Sequence, residues 1–412
     1  MGSKKKHLGY TSYSYLEPGV DYKVFKFRDP LEWFWLYPLP KNEEERVQEI
    51  IQNNILIDLH VHPNPGPQDI SQERDWFKEG RKFIAYDALS KSGLDGMIDW
   101  LGPCHMTSKR GWKWSELMDT LGMGLCDIGH QDFVIQCKKA EDIEYAHREG
   151  KIAWIPAIES ATHIENEVDR LEILYGLGIR SVGICFSESN QLGTGLAELR
   201  DSGLTNFGYD CVVRMNKVGI LIDVSHSSDV TALDTIELSK DPILASHVGT
   251  RSLTPTSRMF PDEVLTALAE KEGVLGVEAP PNSTVTVKNP IHNLESFMEH
   301  VEYCINLMGI DYVGVGSDSY YFDHVGEYLE NRKARTMEGL GFYRRPDQGI
   351  KHLPNTNMDP ESLKRLKYVK GLENPTESTQ NVARWMVHHG YSDAEISKVI
   401  GLNAMQLFKK VW

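Results

Sequence analysis

His60 and His62 stand two residues apart at the end of an apolar run, Ile55-Leu56-Ile57-Asp58-Leu59-His60-Val61-His62. Side chains at i and i+2 of a strand leave the same face, so this spacing sets two imidazoles side by side, the placement a metal ion needs. An isolated pair of this kind serves equally well as a hydrogen-bonded core element. Further donors stand in the same kind of place. Glu159 directly follows Ile158, His226 follows Asp223-Val224-Ser225, His247 follows Ile243–Ser246, and Asp318 follows Gly314-Val315-Gly316-Ser317. Four imidazoles and one carboxylate suit a pair of borderline divalent ions such as Zn²⁺, with Glu159 as the strand-end carboxylate placed to bridge them. Two cations sharing a water would lower its pKa enough to supply hydroxide near neutral pH and leave one metal free to polarise a carbonyl. Asp318 would then take the proton and pass it to the leaving group. Gly-Ser-Asp also begins helices, so Asp318 has a second reading as an N-cap.

These donors need strands that end on one common face. Eight short apolar or β-branched runs recur: Ile55–Leu59, Gly96–Leu101, Ile152–Ile158, Ser181–Phe186, Gly219–Val224, Pro242–Ala245, Gly273–Val277 and Tyr312–Val315. Lys82–Ala88 competes with the second of them. Helical patterns such as Glu165–Leu177, Gly208–Val218, Asp262–Lys271 and Leu294–Met308 lie between. Alternation of this kind predicts an α/β fold, a (β/α)8 TIM barrel, whose strand ends meet at the C-terminal mouth. The barrel occupies residues 50–412. Residues 1–49 form an aromatic N-terminal arm, expected to pack on the barrel or on a partner subunit. Residues 64–150, with Trp76, Trp100, His105, Trp112 and Trp114, read as an inserted active-site cover. Residues 320–375 read as a long loop after the last strand, of a length usually functional or mobile, and Ser392–Trp412 as a closing helix pair. Leu192-Gly193-Thr194-Gly195 reads as a mouth loop, and His105, His130, His163 and His388-His389 as structural or helix-end histidines.

Composition bounds the function classes. The chain has 412 residues, 41% of them hydrophobic, with a formal charge of −15 and no basic stripe, which argues against nucleic acid as a partner. No apolar run approaches the roughly 18 residues of a membrane helix, and no apolar segment follows Lys4-Lys5-Lys6 as in a signal peptide. Six irregularly spaced cysteines without a CxxC pair read as reduced thiols. Together these features predict a cytoplasmic protein without membrane contact.

Several stretches resemble the zinc-dependent membrane (renal) dipeptidases, a branch of the amidohydrolase-like barrels. They are Pro156–Glu159, Leu174-Tyr175-Gly176-Leu177-Gly178-Ile179-Arg180, Gly203–Gly208, Leu221–His226, Ser246-His247, Gly314–Asp318 and His389-Gly390-Tyr391-Ser392-Asp393. The resemblance covers roughly residues 50–62, 150–320 and 376–412, and includes the step from His226 to His247. It implies that His60 and His62 hold one metal, that His226 and His247 hold the other, and that Glu159 bridges. It further implies that Arg258, in Ser257-Arg258-Met259-Phe260-Pro261-Asp262, grips a substrate carboxylate and that Asp318 is the acid/base. Bidentate capture of a carboxylate is a use a guanidinium on a mouth loop can serve.

Two departures mark this chain as divergent. The family usually has aspartate where His62 stands, so the bimetal centre gains one positive charge. Phe186 occupies the position, counted without a gap from Glu159, of a family histidine that contacts the scissile carbonyl oxygen. Losing such a donor typically costs a few kcal/mol of oxyanion stabilisation. An aromatic ring there narrows the pocket and favours an apolar or planar group. The expected substrate is therefore a small carboxylate-bearing amide, aromatic or heterocyclic, and not a generic dipeptide. The alternatives are a metal-dependent decarboxylase or lyase on the same barrel, and a non-catalytic barrel protein. The aromatic arm suggests a homo-oligomer.

Overall fold

The computed structural model describes residues 6–101, 113–329 and 365–412. Ten strands lie within them: β1 (Ile57–Pro65), β2 (Gly96–Leu101), β3 (Val134–Gln136), β4 (Ile152–Ile158), β5 (Ser181–Gly183), β6 (Leu221–Asp223), β7 (Leu244–Val248), β8 (Val274–Val277), β9 (Val313–Val315) and β10 (Ser319–Tyr321). All pairings are parallel, in the order β10-β1-β2-β4-β5-β6-β7-β8-β9, with β3 added alongside β4. β9 pairs with β8 and β10 with β1, so the two halves of one interrupted stave close the sheet into a barrel of eight. Each run expected to form a strand contributes one. Tyr86–Leu89 is a helical turn, which removes Lys82–Ala88 as a rival to β2.

Packing explains why these runs carry almost no polar residues. A parallel strand in a barrel is covered on both faces, and every residue of β2 and β4 is buried. Alternate residues fall into two separate cores. Ile57, Leu59, Ile98, Ala153, Ile155, Ala157, Leu221, Leu244 and Val274 fill the barrel interior, closed at one end by Met405 and Phe408 of the final helix, Asn403–Val411. Met97, Leu101, Ile152, Trp154 and Ile158 face outward, in a shell shared with the helices.

Two strands break this alternation. Between Asp58 and Val61 β1 advances three residues while β2 advances two, from Met97 to Asp99. Between Ala245 and Val248 β7 likewise advances three against two of β8. Each is a one-residue bulge, which re-aims the side chains beyond it.

The N-terminal arm packs on its own barrel. Asp127, on the cover helix Trp114–Gly129, accepts hydrogen bonds from Tyr10 Oη (2.8 Å), Ser12 Oγ (2.9 Å), the Tyr13 amide (2.7 Å) and Tyr86 Oη (2.9 Å). Farther along, the Trp35 amide donates to Glu377 (2.6 Å) and the Tyr37 amide to Asn381 (2.7 Å), on or beside the helix Ser378–His388. Asp127→Ala would strand four donors, so it should cost about 3 kcal/mol and free the first strap. A lowered melting temperature together with faster proteolysis before residue 20 would verify this; an unchanged digestion pattern would count against it.

Candidate metal centre

The bulges bring the candidate donors to one point. In β1, Leu59 stays in the interior core while His60, one residue later, also turns inward, and His62 follows on the same face. In β7 the extra residue lets the adjacent Ser246 and His247 both face the barrel axis. Glu159 follows β4, His226 lies three residues past β6, and Asp318 sits in the interruption between β9 and β10. Asp318 adopts φ +50°, a left-handed conformation uncommon for a residue with a Cβ, and its amide donates to the His60 carbonyl at 2.8 Å. It caps no helix.

The donor atoms crowd one another. His60 Nε2 lies 3.3 Å from His62 Nε2, and His226 Nε2 lies 3.0 Å from His247 Nε2. Glu159 Oε1 is 3.1 Å from His226, 3.4 Å from His247 and 3.9 Å from His60. Asp318 Oδ1 is 3.2 Å from His62 and 3.5 Å from His60. Ligands about 2.0–2.2 Å from a shared tetrahedral cation lie roughly 3.3–3.6 Å apart, so these separations fit metal binding. Two overlapping groups emerge, His60-His62-Asp318 and His60-Glu159-His247.

Electrostatics agrees with the donor set. Burial, reinforced by neighbouring basic groups, holds His60 and His247 well below the usual imidazole range, so both rings are neutral and offer lone pairs. Burial, with Asp318 close by, pushes the Glu159 carboxyl well up, a penalty that a bound cation relieves. Asp58, also buried, is raised to about 7, while its Oδ1 accepts from the His60 and Ser317 amides at 3.1 and 2.9 Å and ties β1 to the Asp318 segment.

Arg258 and Phe186 line the same cavity of about 440 Å³ as His62, Glu159, His226 and Asp318. Phe186 lies in the loop after β5 and stacks on His226, with centroids 4.2 Å apart. Arg258 is buried, donating to the His247 carbonyl (2.8 Å) and the Ser225 carbonyl (3.3 Å), and contacts the Glu278 carboxyl. Burial pushes Glu278 up to about 8, against the pull of Arg258. The guanidinium expected to grip a substrate carboxylate thus already has a carboxyl partner in the protein.

Trp76, Phe77, Trp100, Tyr320 and Tyr328 complete an aromatic wall. Trp100 stacks on His60 (4.9 Å) and Tyr320 on His62 (4.4 Å). Of the expected cover tryptophans, Trp76 and Trp100 line the cavity. Trp114 instead packs under Arg170, and Trp112 and His105 lie outside the described residues, as does most of the 320–375 loop. His163 is buried against the Lys113 carbonyl and His130 stacks on Tyr15, both away from the cavity. Sequence reasoning overlooked Glu278, Tyr320 and Tyr328, together with Asp223 and Ser246, which pack behind the histidines. Asp223-Val224-Ser225-His226 and Ser246-His247 carried the last two in plain view as polar residues beside a ligand.

Similarity to known proteins bears on the same residues. A model of the membrane dipeptidases, peptidase family M19, matches residues 44–334. The dipeptidase aclJ of Aspergillus oryzae is 28% identical over 204 residues, 48% of this chain and 48% of that protein. The dipeptidase tcpJ of Claviceps purpurea is 26% identical over 286 residues, 68% of this chain and 56% of that protein. The chain spans about half the length of these curated relatives. Among solved structures, an amidohydrolase from Pseudomonas aeruginosa superposes with a TM-score of 0.67 at 23% identity, covering 89% of this chain and 99% of its own. A metallo peptidase from Rhodobacter sphaeroides, liganded with a phosphinate mimic of the dipeptide L-Ala-D-Ala, gives 0.61 at 18% identity, covering 87% and 100%. Both share the barrel fold.

Proposed function

The chain belongs to the membrane dipeptidase family, peptidase family M19, and from that premise we propose that it is a binuclear metallohydrolase, with Zn²⁺ as the resident pair, cleaving the C–N bond of a small carboxylate-bearing amide. The observation that carries the reading is the meeting of His60, His62, His226 and His247 with Glu159 and Asp318 in one cluster, at ligand-to-ligand separations. Two divalent ions held there supply a water of lowered pKa and a Lewis acid for the amide carbonyl.

The protein's own residues do the remaining work. Asp318 Oδ1, beside both His60 and His62, is placed to hold a proton and hand it to the departing nitrogen. Phe186, Trp100 and Tyr320 back the imidazoles with rings that exclude water and favour a flat or apolar substrate group. Arg258 orients the substrate carboxylate in competition with Glu278. We place the enzyme in the cytoplasm as a homo-oligomer, a state that light scattering measures directly. Among the described residues no helix is long and apolar enough to cross a membrane.

Metal analysis of the purified protein, paired with a panel of N-acyl aromatic amino acids and simple dipeptides, tests the proposal. Two ions per chain and faster turnover of the aromatic amides are expected. Fast turnover of Ala-Ala with none of the aromatic amides would refute the substrate assignment. Release of CO₂ without solvent ¹⁸O in the product would point to a decarboxylase.

Phe186→His supplies a donor at the cavity wall where the phenyl ring offers none. Dipeptide turnover should rise about 10-fold, mainly in kcat. A change confined to KM would mean that Phe186 acts through shape alone.

A further inference from the structure

Behind the histidines, one hydroxyl group touches both halves of the centre. Ser246 Oγ lies 3.2 Å from His60 Nδ1 and 2.8 Å from His247 Nδ1, and donates to Asp223 Oδ2 at 2.8 Å. All four residues are buried. The direction of each hydrogen bond follows from counting protons. Asp223 Oδ1 accepts from the Ser225 amide (3.2 Å), Ser225 Oγ (2.7 Å) and the Ser246 amide (2.8 Å), and Oδ2 accepts from Ser246 Oγ; the two hydroxyls, 3.1 Å apart, each make their shorter bond to the carboxylate. The single Ser246 proton is therefore committed to Asp223. Both lone pairs of Ser246 Oγ then receive Nδ1–H groups, one from each imidazole. Each ring is fixed as the Nδ1–H tautomer, with its Nε2 lone pair turned toward Glu159.

We propose that Ser246 is a shared positioning residue that sets one imidazole from each histidine pair, so that the two metal subsites form or fail together. The proposal rests on the binuclear reading above. Neighbouring residues of a regular strand face opposite sides; the β7 bulge is what allows Ser246 to stand behind the centre while His247 enters it. The backbone accommodates this closely. A Cβ on Gly276 or Gly316 would fall 2.1 or 1.7 Å from the Ser246 carbonyl oxygen, so the flanking staves approach this residue only as glycines. Ser225 provides an internal control. It also donates to Asp223, accepts from the His247 amide (3.1 Å) and lies 3.1 Å from Ser246 Oγ, so its side-chain bonds end on these groups and not on an imidazole ring.

The test titrates Zn²⁺ and Co²⁺ into chelator-stripped full-length protein, for the wild type, Ser246→Ala, Ser246→Cys and Ser225→Ala. Calorimetry and the visible Co²⁺ spectrum are the readouts. Ser246→Ala should weaken both ions in step, by about 10- to 100-fold each, and alter the Co²⁺ spectrum at both equivalents, while Ser225→Ala stays within about threefold of wild type. Ser246→Cys, similar in size but a weak acceptor, should fall between and answers for a poorly folding alanine variant. Loss of one ion only, wild-type affinity in both Ser246 variants, or an equal loss in Ser225→Ala would overturn the shared role. Wild-type protein binding fewer than two ions would instead remove the binuclear premise.

Discussion

Chelation of the divalent ions should reduce amide turnover to background, and Glu159→Gln should leave a protein that no longer recovers on adding Zn²⁺. The expectation follows from where Glu159 stands. Its Oε1 faces His60, His226 and His247 at 3.1–3.9 Å, and burial without a cation drives its carboxyl well up. An amide in its place keeps the size and removes the negative charge that the proposed pair of cations would share, so affinity for at least one ion should fall by several orders of magnitude. Metal content, circular dichroism and turnover measured on one preparation separate the outcomes. Full activity in a metal-free preparation would end the hydrolase proposal. Retention of both ions by the glutamine variant would remove Glu159 from the ligand set. Affinity should also decline as pH falls, because Glu159, whose carboxyl burial pushes well up, must shed its proton to bind.

Asp318→Asn should lower kcat by about 10³-fold while both ions remain bound and KM changes little. The substitution preserves the left-handed backbone position at φ +50°, which asparagine tolerates well, and the amide hydrogen bond to the His60 carbonyl. What disappears is a carboxylate able to accept a proton beside His60 and His62. Metal analysis decides the role. Loss of an ion along with activity would make Asp318 a ligand, consistent with its place in the His60-His62-Asp318 group. Retained metal with lost turnover identifies the acid/base.

Hydrophobic patterning made much of this architecture legible. Gly96–Leu101 and Ile152–Ile158 are the strands β2 and β4 at the bounds the apolar runs suggested, and Leu294–Met308 is the helix. Elsewhere the apolar runs overstate the regular pairing. Ser181–Phe186 contributes only Ser181–Gly183, since the chain must leave the sheet to carry Phe186 over His226. The first strand errs the other way and runs on to Pro65, because β10 pairs alongside it. Strand-end position and residue type also picked out the side chains that the structure brings within a few ångströms of one another. The bulges were not legible: a one-residue slip depends on the register of the partner strand, which no local pattern records. Arg258 likewise gave no sign of Glu278, 20 residues downstream and on a different stave, because that pairing exists only once the barrel closes. Trp76 and Trp100 line the cavity and Trp114 does not, a difference set by helix packing that composition does not encode.

The extra residues in β1 and β7 separate the endurance of the scaffold from that of its chemistry. Deleting the Ser246 codon, which separates Ala245 from His247, would restore an unbroken ladder with β8 and leave a scaffold able to close; His247, between the outward Ala245 and Val248, would still face inward, but the hydroxyl behind it would be gone. Along a lineage, such a lesion would leave descendants that close the barrel and hold metal poorly.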